Sequence, residues 1–431
     1  MKQLLILASL LSSVLVMGQS LSVETISALP MRTSNNAVVE GFANGKAYVY
    51  SFGGIDETKS HSGIHLRSFR LDVDADVWEE LDPLPDTRGK IASSASRVGD
   101  IIYIIGGYHV ASNGSEESSL KVHRFDILTN QFMADGADIP VAIDDQAQVV
   151  RGHLIYVITG WNNNANVPNV QVYDTTTDTW AQANLLPNNL AYKVFGTAGT
   201  IIGDTIYYYG GAGGFNFAPS RVLRRGVIDQ DNPLSIEWST VTPSNSPTNY
   251  RSAASNFNGQ PFWFGGAEGS YNFDGIAYNG FGGVEPSGKA MRYDAGSGLW
   301  DSWELGLPMD LRSVAEISGR EKIIVGGMTS DQTVTDQVWR VLIDGTSSTK
   351  DVEISDFSLS PNPASDMIDV KASFEFSTIQ ITNHLGQLVK FINQIESNHI
   401  RLDISDLSAQ KYFLSLSDKS GRTQTRAMIK K

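Results

Sequence analysis

The chain has 431 residues, 41% of them hydrophobic, with a formal net charge of −14 from 33 basic and 47 acidic side chains. Nucleic acid needs a basic face, so this balance argues against such a partner, while the length allows two or three domains or one large repeat array. The sequence contains no cysteine, which excludes disulfides, thiolate catalysis, Cys-ligated zinc and a lipidated cysteine.

Met1-Lys2-Gln3 is followed by an apolar run over residues 4–16 and then by Met17-Gly18-Gln19. One positive charge, a short apolar run and small residues at its exit predict a secretory signal over residues 1–18. The run is short for a membrane anchor, and no later stretch is long enough, so no integral membrane span is expected.

Next comes a motif that recurs six times, an apolar run stopped by glycine. Its copies are Tyr50-Ser51-Phe52-Gly53-Gly54, Ile102-Tyr103-Ile104-Ile105-Gly106-Gly107, Tyr156-Val157-Ile158-Thr159-Gly160, Tyr207-Tyr208-Tyr209-Gly210-Gly211, Phe262-Trp263-Phe264-Gly265-Gly266 and Ile323-Ile324-Val325-Gly326-Gly327. The second glycines stand 53, 53, 51, 55 and 61 residues apart. A period near fifty predicts an array of equal β-units. Each unit also carries a small-residue strand upstream, such as Ala92-Ser93-Ser94-Ala95-Ser96. Downstream, a third strand ends in Asp72, Asp126, Asp174, Asp229 or Asp294, and Trp78, Phe132, Trp180, Trp238 and Trp300 follow. The central run is apolar on both faces, as in a strand buried on both sides. Small residues suit a crowded ring axis, and no unit can bury both faces alone, so only a closed ring is stable. The last unit has no fourth strand of its own. The unassigned stretch 21–29 matches that strand and is expected to close the last blade, removing an open edge.

These residues resemble the kelch repeat. The resemblance implies a six-bladed kelch β-propeller over residues 20–345, with departures at Thr159 (for glycine), Phe132 (for tryptophan) and Ile323 (for an aromatic).

Residues 346–355 form a polar linker, after which the glycine pairs and tryptophans stop. Short alternating strands then predict a small immunoglobulin-like β-sandwich over residues 356–431. The fold class is therefore all-β throughout. Ser360-Pro361-Asn362-Pro363-Ala364-Ser365-Asp366, Asn383-His384-Leu385-Gly386-Gln387-Leu388-Val389 and Leu402-Asp403-Ile404-Ser405-Asp406-Leu407, with Tyr412, Gly421 and Lys430-Lys431, are similar to the C-terminal sorting domain of the type IX secretion system of Bacteroidota. Gln410 stands where that family usually has glycine, so a strained or reshaped turn is expected there. The resemblance implies contact with the secretion machinery, export, and a secreted or outer-membrane-surface location.

Arg32, Arg88, Lys193, Arg251 and Arg312 stand at or near the entries to the first strands, and Asp144-Asp145 takes that place in the third unit. In a propeller these entries face one mouth of the channel, where such cations would make an anion-binding ring. The loops after the glycine pairs face the same mouth. They carry Trp161, Phe215 and, on the longest loop, Tyr271, Phe273, Tyr278 and Phe281, which suit stacking on a sugar or gripping a peptide. No GxSxG, P-loop or kinase pattern occurs, and the seven histidines contain no HExxH pair, so neither a metal nor a cofactor is expected. Copper oxidases of kelch type need a Tyr–Cys cofactor that this chain cannot build. The expectation is a monomeric, non-enzymatic binder of an extracellular glycan or protein. The alternative is a carbohydrate-active enzyme of sialic acid mutarotase or epimerase type, with Arg and Glu at the mouth moving protons.

Overall fold

The computed structural model describes residues 19–242, 245–344, 357–383, 388–392, 397–417 and 423–431. The expected signal segment and linker lie outside the described residues, as do His384 to Gln387 and Gly421 of the tail motifs. The chain divides into two compact units, residues 18–346 and a unit holding residues 347–431.

The larger unit is built from six antiparallel sheets with four principal strands each. Blade 1 runs Ala37–Ala43, Lys46–Ile55, Ile64–Asp72, Val77–Leu81 from the axis outward. Blades 2 to 5 repeat this order from first strands at Ile91–Val98, Ala147–Arg151, Phe195–Ile202 and Ala253–Phe257. First strands of neighbouring blades adjoin one another, and Ser255 Oγ donates to Glu316 Oε1 (2.6 Å) between blades 5 and 6. Blade 6 combines Ala315–Glu316, Glu321–Val325 and Val338–Asp344 with Ser20–Ile26, which pairs antiparallel along the outer edge from Ser20 opposite Asp344 to Ile26 opposite Val338. Leu21 and Val23 pack into the core between blades 5 and 6, so this strand supplies packing as well as edge hydrogen bonds.

The apolar second strands explain the ring. In Ile101–Val110, Ile102 and Ile104 pack with Tyr50 and Phe52 of blade 1, whereas Tyr103 and Ile105 pack with Ile155, Val157 and Tyr173 of blade 3. Each large apolar side chain so buried contributes about 1.5–3 kcal/mol. The periodic tryptophans add a polar tie: Trp78, Trp180 and Trp300 donate their indole N–H to Ser27 O, Ala137 O and Ser246 Oγ, at 2.8–2.9 Å.

Glycine at the end of the second strand has a geometric cause. Gly106 has φ +69°, and a Cβ there would lie 2.4 Å from the Ile143 carbonyl. The three departures from the repeat find substitutes. Thr159 adopts φ +49°, and its hydroxyl lies within hydrogen-bond reach of the Val167 and Val194 carbonyls (2.9 and 3.0 Å). Phe132 packs edge-on against Phe125 and Phe52. Ile323 is fully buried among the aliphatic residues shared by blades 6 and 1.

The smaller unit has one sheet of Phe357–Ser360, Met367–Phe376 and Ser397–Asp403, and another of Leu388–Ile392, Thr378–Asn383, Lys411–Ser417 and Thr423–Ile429. Alternate residues such as Tyr412, Leu414 and Leu416 turn inward to a shared core with Ile368, Val370 and Ile381, giving a β-sandwich. The turn at Gln410 closes without a left-handed residue. Its side-chain amide donates to Ser408 Oγ and the Tyr412 hydroxyl (3.0 and 2.8 Å), and its carbonyl accepts the Lys430 N–H (3.0 Å), so the turn is reshaped rather than strained.

Candidate functional site at the channel mouth

At or shortly before the start of each first strand one residue has a left-handed backbone: Asn35, Ala92, Asp145, Gly196, Arg251 and Asp310 have φ between 47° and 64°. That conformation turns each peptide toward its neighbour. The N–H of Asn35 donates to Asp310 O, Ala92 to Asn35 O, Asp145 to Ala92 O, Gly196 to Asp145 O and Arg251 to Gly196 O, at 2.8–3.3 Å. The Leu311 N–H donates to Arg251 O (2.9 Å) and completes a belt of main-chain hydrogen bonds around the axis. Left-handed backbone is costly for Ala92 and Arg251, which lack the compensation open to Gly, Asn and Asp.

The belt brings an ion cluster together. The Arg251 guanidinium donates to Asp145 (2.7 and 3.2 Å) and to Asp310 (3.0 Å). Arg312 donates to the same Asp145 (2.6 Å) and to Gln146 O (3.0 Å), and Ser34 Oγ donates to Asp310 (2.6 Å). All four charged residues are buried. Burial opposes the charge on Arg251, but Asp145 and Asp310 hold its pKa well above the usual arginine range. Asp310 is raised, because burial outweighs the help of Arg251 and Ser34. Both move up, which favours a charged Arg251 but a neutral Asp310. The geometry, with charged donors facing both carboxylates, favours the ionised pair.

On one side of the cluster lies the axial channel, a space of about 270 Å³ bordered by Arg312, Gln146, Gln148, Ser94, Ser96, Glu40 and Glu316. On the other side lies a cavity of about 180 Å³ bordered by Tyr108, Glu116, Asp144, Asp145, Trp161, Phe195, Phe217, Arg251, Asn272 and Tyr278. The residue after the glycines is set by a two-bond bridge to the residue before the belt. Trp161 and Asp144 exchange N–H···O bonds of 2.9 and 3.0 Å, which places the indole beside the carboxyl. The long loop of blade 5 reaches across the mouth. Ser270 Oγ donates to Phe217 O (2.5 Å), Tyr278 packs on Phe217 (4.7 Å between centroids), Phe273 packs with the group around Ile55, Ile91 and Tyr108, and Gln332 of blade 6 donates to Val284 O (3.0 Å).

Asp144 is 4% exposed and accepts from Ser118 Oγ (2.5 Å). Burial, and then the neighbouring charge of Asp145, push its carboxyl well above the usual range and favour the neutral acid. Glu116 stands at the exposed rim, where partial desolvation, against which Arg251 acts, and then Asp145 raise it. Burial likewise keeps Tyr108 and Tyr278 as phenols. The cavity therefore combines aromatic faces with acids, phenols and one amide, a lining suited to a small polar ring. Among the described residues, no group of three His, Asp or Glu is placed to hold a metal ion.

Of the residues singled out in the sequence, Asp144, Trp161, Arg251 and Tyr278 meet at this cavity. Tyr271 is buried behind Arg251, 5.6 Å from its guanidinium, and Arg312 borders the channel instead. Arg32 and Arg88 lie outside, exposed and paired with Glu57 (2.9 Å) and Glu117 (2.6 Å). Lys193 and Phe215 border a separate apolar groove with Leu190, Trp161 and Phe217, and Phe215 and Phe281 are almost wholly exposed. The five cations thus do not form one ring. Arg32, Arg88 and Lys193 precede the belt residues of their blades by three, four and three positions, on the outward part of the loop. Tyr108, Glu116 and Phe195 escaped notice. Tyr108 directly follows a glycine pair and Phe195 directly precedes a belt residue, so both offsets could have found them; Glu116 carries no such signal.

A belted ring of six four-stranded blades, with a cavity at one mouth, defines a β-propeller. The Kelch motif matches residues 149–184, and the Secretion system C-terminal sorting domain matches residues 358–431. Kelch-like protein 36 of Bos taurus is 25% identical over 185 residues, which cover 43% of this chain and 28% of that protein. Kelch-like protein 15 of Homo sapiens is 26% identical over 205 residues, covering 44% and 32%. The matches thus span less than a third of these relatives. The solved "Structure of YjhT" superposes with a TM-score of 0.59 at 17% identity, covering 74% of this chain and 99% of that one, and it supports the propeller fold. The chain is a kelch-repeat β-propeller protein with a type IX secretion sorting domain. That domain marks it for export, as a secreted or cell-surface protein, and no helix among the described residues is long and apolar enough to cross a membrane.

Proposed function

We propose that the exported propeller binds a glycan in the cavity under the blade 5 loop. Residues 20–345 act as the binding unit of a monomer, and residues 356–431 serve as its address to the secretion machinery. The observation that carries this reading is the lining of the cavity. Trp161, Phe195, Phe217 and Tyr278 offer apolar plates, and Asp144, Glu116 and Asn272 offer hydrogen-bonding groups beside them. A sugar presents that same pair of surfaces, C–H faces and hydroxyl edges. A glycan array probed with the exported protein and with Trp161→Ala and Tyr278→Ala variants tests it. Wild-type signal on a defined glycan set that both variants lose supports the reading, and an array without signal refutes it.

A second reading is favoured by one observation. Asp144 and Glu116 are both raised and border one cavity, as a proton donor and acceptor in anomer interconversion would. Anomer exchange followed by NMR, with Asp144→Asn as control, decides whether the site is a mutarotase or a binder.

A further inference from the structure

Resting on the glycan reading, we infer that the cavity selects a sugar carrying a protonated amine, not an acidic one. The cluster's charge is already balanced within the protein. Arg251 and Arg312 bring two positive charges, and Asp145 and Asp310 bring two negative ones, in direct contact at 2.6–3.2 Å. An anionic ligand would have to compete with those carboxylates for the guanidinium. Two further carboxyls border the cavity with no cation bonded to them among the described residues, Asp144 and Glu116. Asp144 is more than nine-tenths buried. Its Oδ2 accepts from Ser118, and its Oδ1 has no hydrogen bond among the described residues.

The rest of the wall is the second, independent feature. Trp161, Phe195, Phe217 and Tyr278 line the cavity as a cluster of rings packed on one another, with neighbouring centroids 4.7–5.9 Å apart. Ring faces attract a cation through their quadrupole, more strongly where water is excluded. An ammonium group is the one sugar substituent that both parts of this wall favour. A carboxylate would meet the carboxyls of Asp144 and Glu116 beside the aromatic wall. The volume of about 180 Å³ gives room for a single sugar ring.

Titration calorimetry of the full exported chain with glucosamine, N-acetylglucosamine and glucuronic acid, at a mildly acidic pH where the amine is charged, tests the inference. Glucosamine should bind roughly tenfold or more tightly than N-acetylglucosamine, with glucuronic acid weakest. Asp144→Asn and the rim variant Glu116→Gln should each erase most of that preference, the loss falling mainly on glucosamine rather than on N-acetylglucosamine. Because Glu116 is exposed, its variant reports on charge without risk to folding. N-acetylglucosamine or glucuronic acid binding as well as glucosamine overturns the amine inference and leaves the glycan reading standing. Binding of none of the three overturns the amine inference, and the glycan reading then stands or falls on the array.

Discussion

Replacing Arg251 by Met removes the cation on which the belt cluster turns. In the native protein Arg251 donates to Asp145 and Asp310 from a site 1% exposed. Without it, two buried carboxylates share only Arg312, which touches Asp145, and the Ser34 hydroxyl, which touches Asp310. Breaking a buried pair by removing one partner costs about 3–5 kcal/mol, and relief of the left-handed strain at this position cannot recover it, since Met is as strained there as Arg. The double variant Arg251→Met/Asp310→Asn removes one of the stranded charges and should regain a good part of the loss. Urea unfolding followed by the fluorescence of the blade tryptophans measures both. A loss below about 1 kcal/mol for the single variant, or equal losses for single and double, would refute the claim that the cluster is a structural plug whose charges are satisfied internally.

Deleting residues 20–26 should uncover the edge of Val338–Asp344 and part of the blade 5–6 core, lowering the melting temperature and promoting aggregation; an unchanged melting curve would contradict that role. Removing residues 356–431 should leave the propeller folded but retained in the periplasm, as cell fractionation would report. His65 is half-buried with neither ring nitrogen hydrogen-bonded, and burial lowers its pKa from 6.5 to about 4. The unfolded chain therefore takes up a proton below pH 6.5 that the folded chain refuses until about pH 4. Stability should fall through that window by up to about 3 kcal/mol, and His65→Gln should flatten the fall in melting temperature measured against pH.

The parts of this protein that repeat were readable in the sequence, because each blade states the same packing problem again. Glycine pairs mark the left-handed turn where a Cβ would strike a carbonyl, and Trp78, Trp180 and Trp300 recur at one offset because each sits on a fourth strand and donates its indole N–H to the segment that follows the preceding blade's outer strand. The tail was legible for a similar reason, since its motifs stand in order around a sandwich with alternating burial. The site was only half legible. Arg251 and Asp145 lie 106 residues apart and meet only when the ring closes, so the sequence shows their equivalent positions but not their pairing. Counting cations at the strand entries therefore suggested an anion ring, whereas the charges neutralise one another and leave Asp144 and Glu116 as the unbalanced groups. The belt itself was hidden, because Ala92 and Arg251 are residue types that rarely adopt the left-handed backbone it demands.

A crystal structure of the exported protein in complex with its best array glycan tests the central claim most directly. The account predicts sugar density in the cavity between Trp161, Tyr278 and Asp144, with the Asp145–Arg251–Asp310 contacts intact. Density confined to the blade rims or the axial channel, or a ligand carboxylate displacing Asp145 from Arg251, would contradict it.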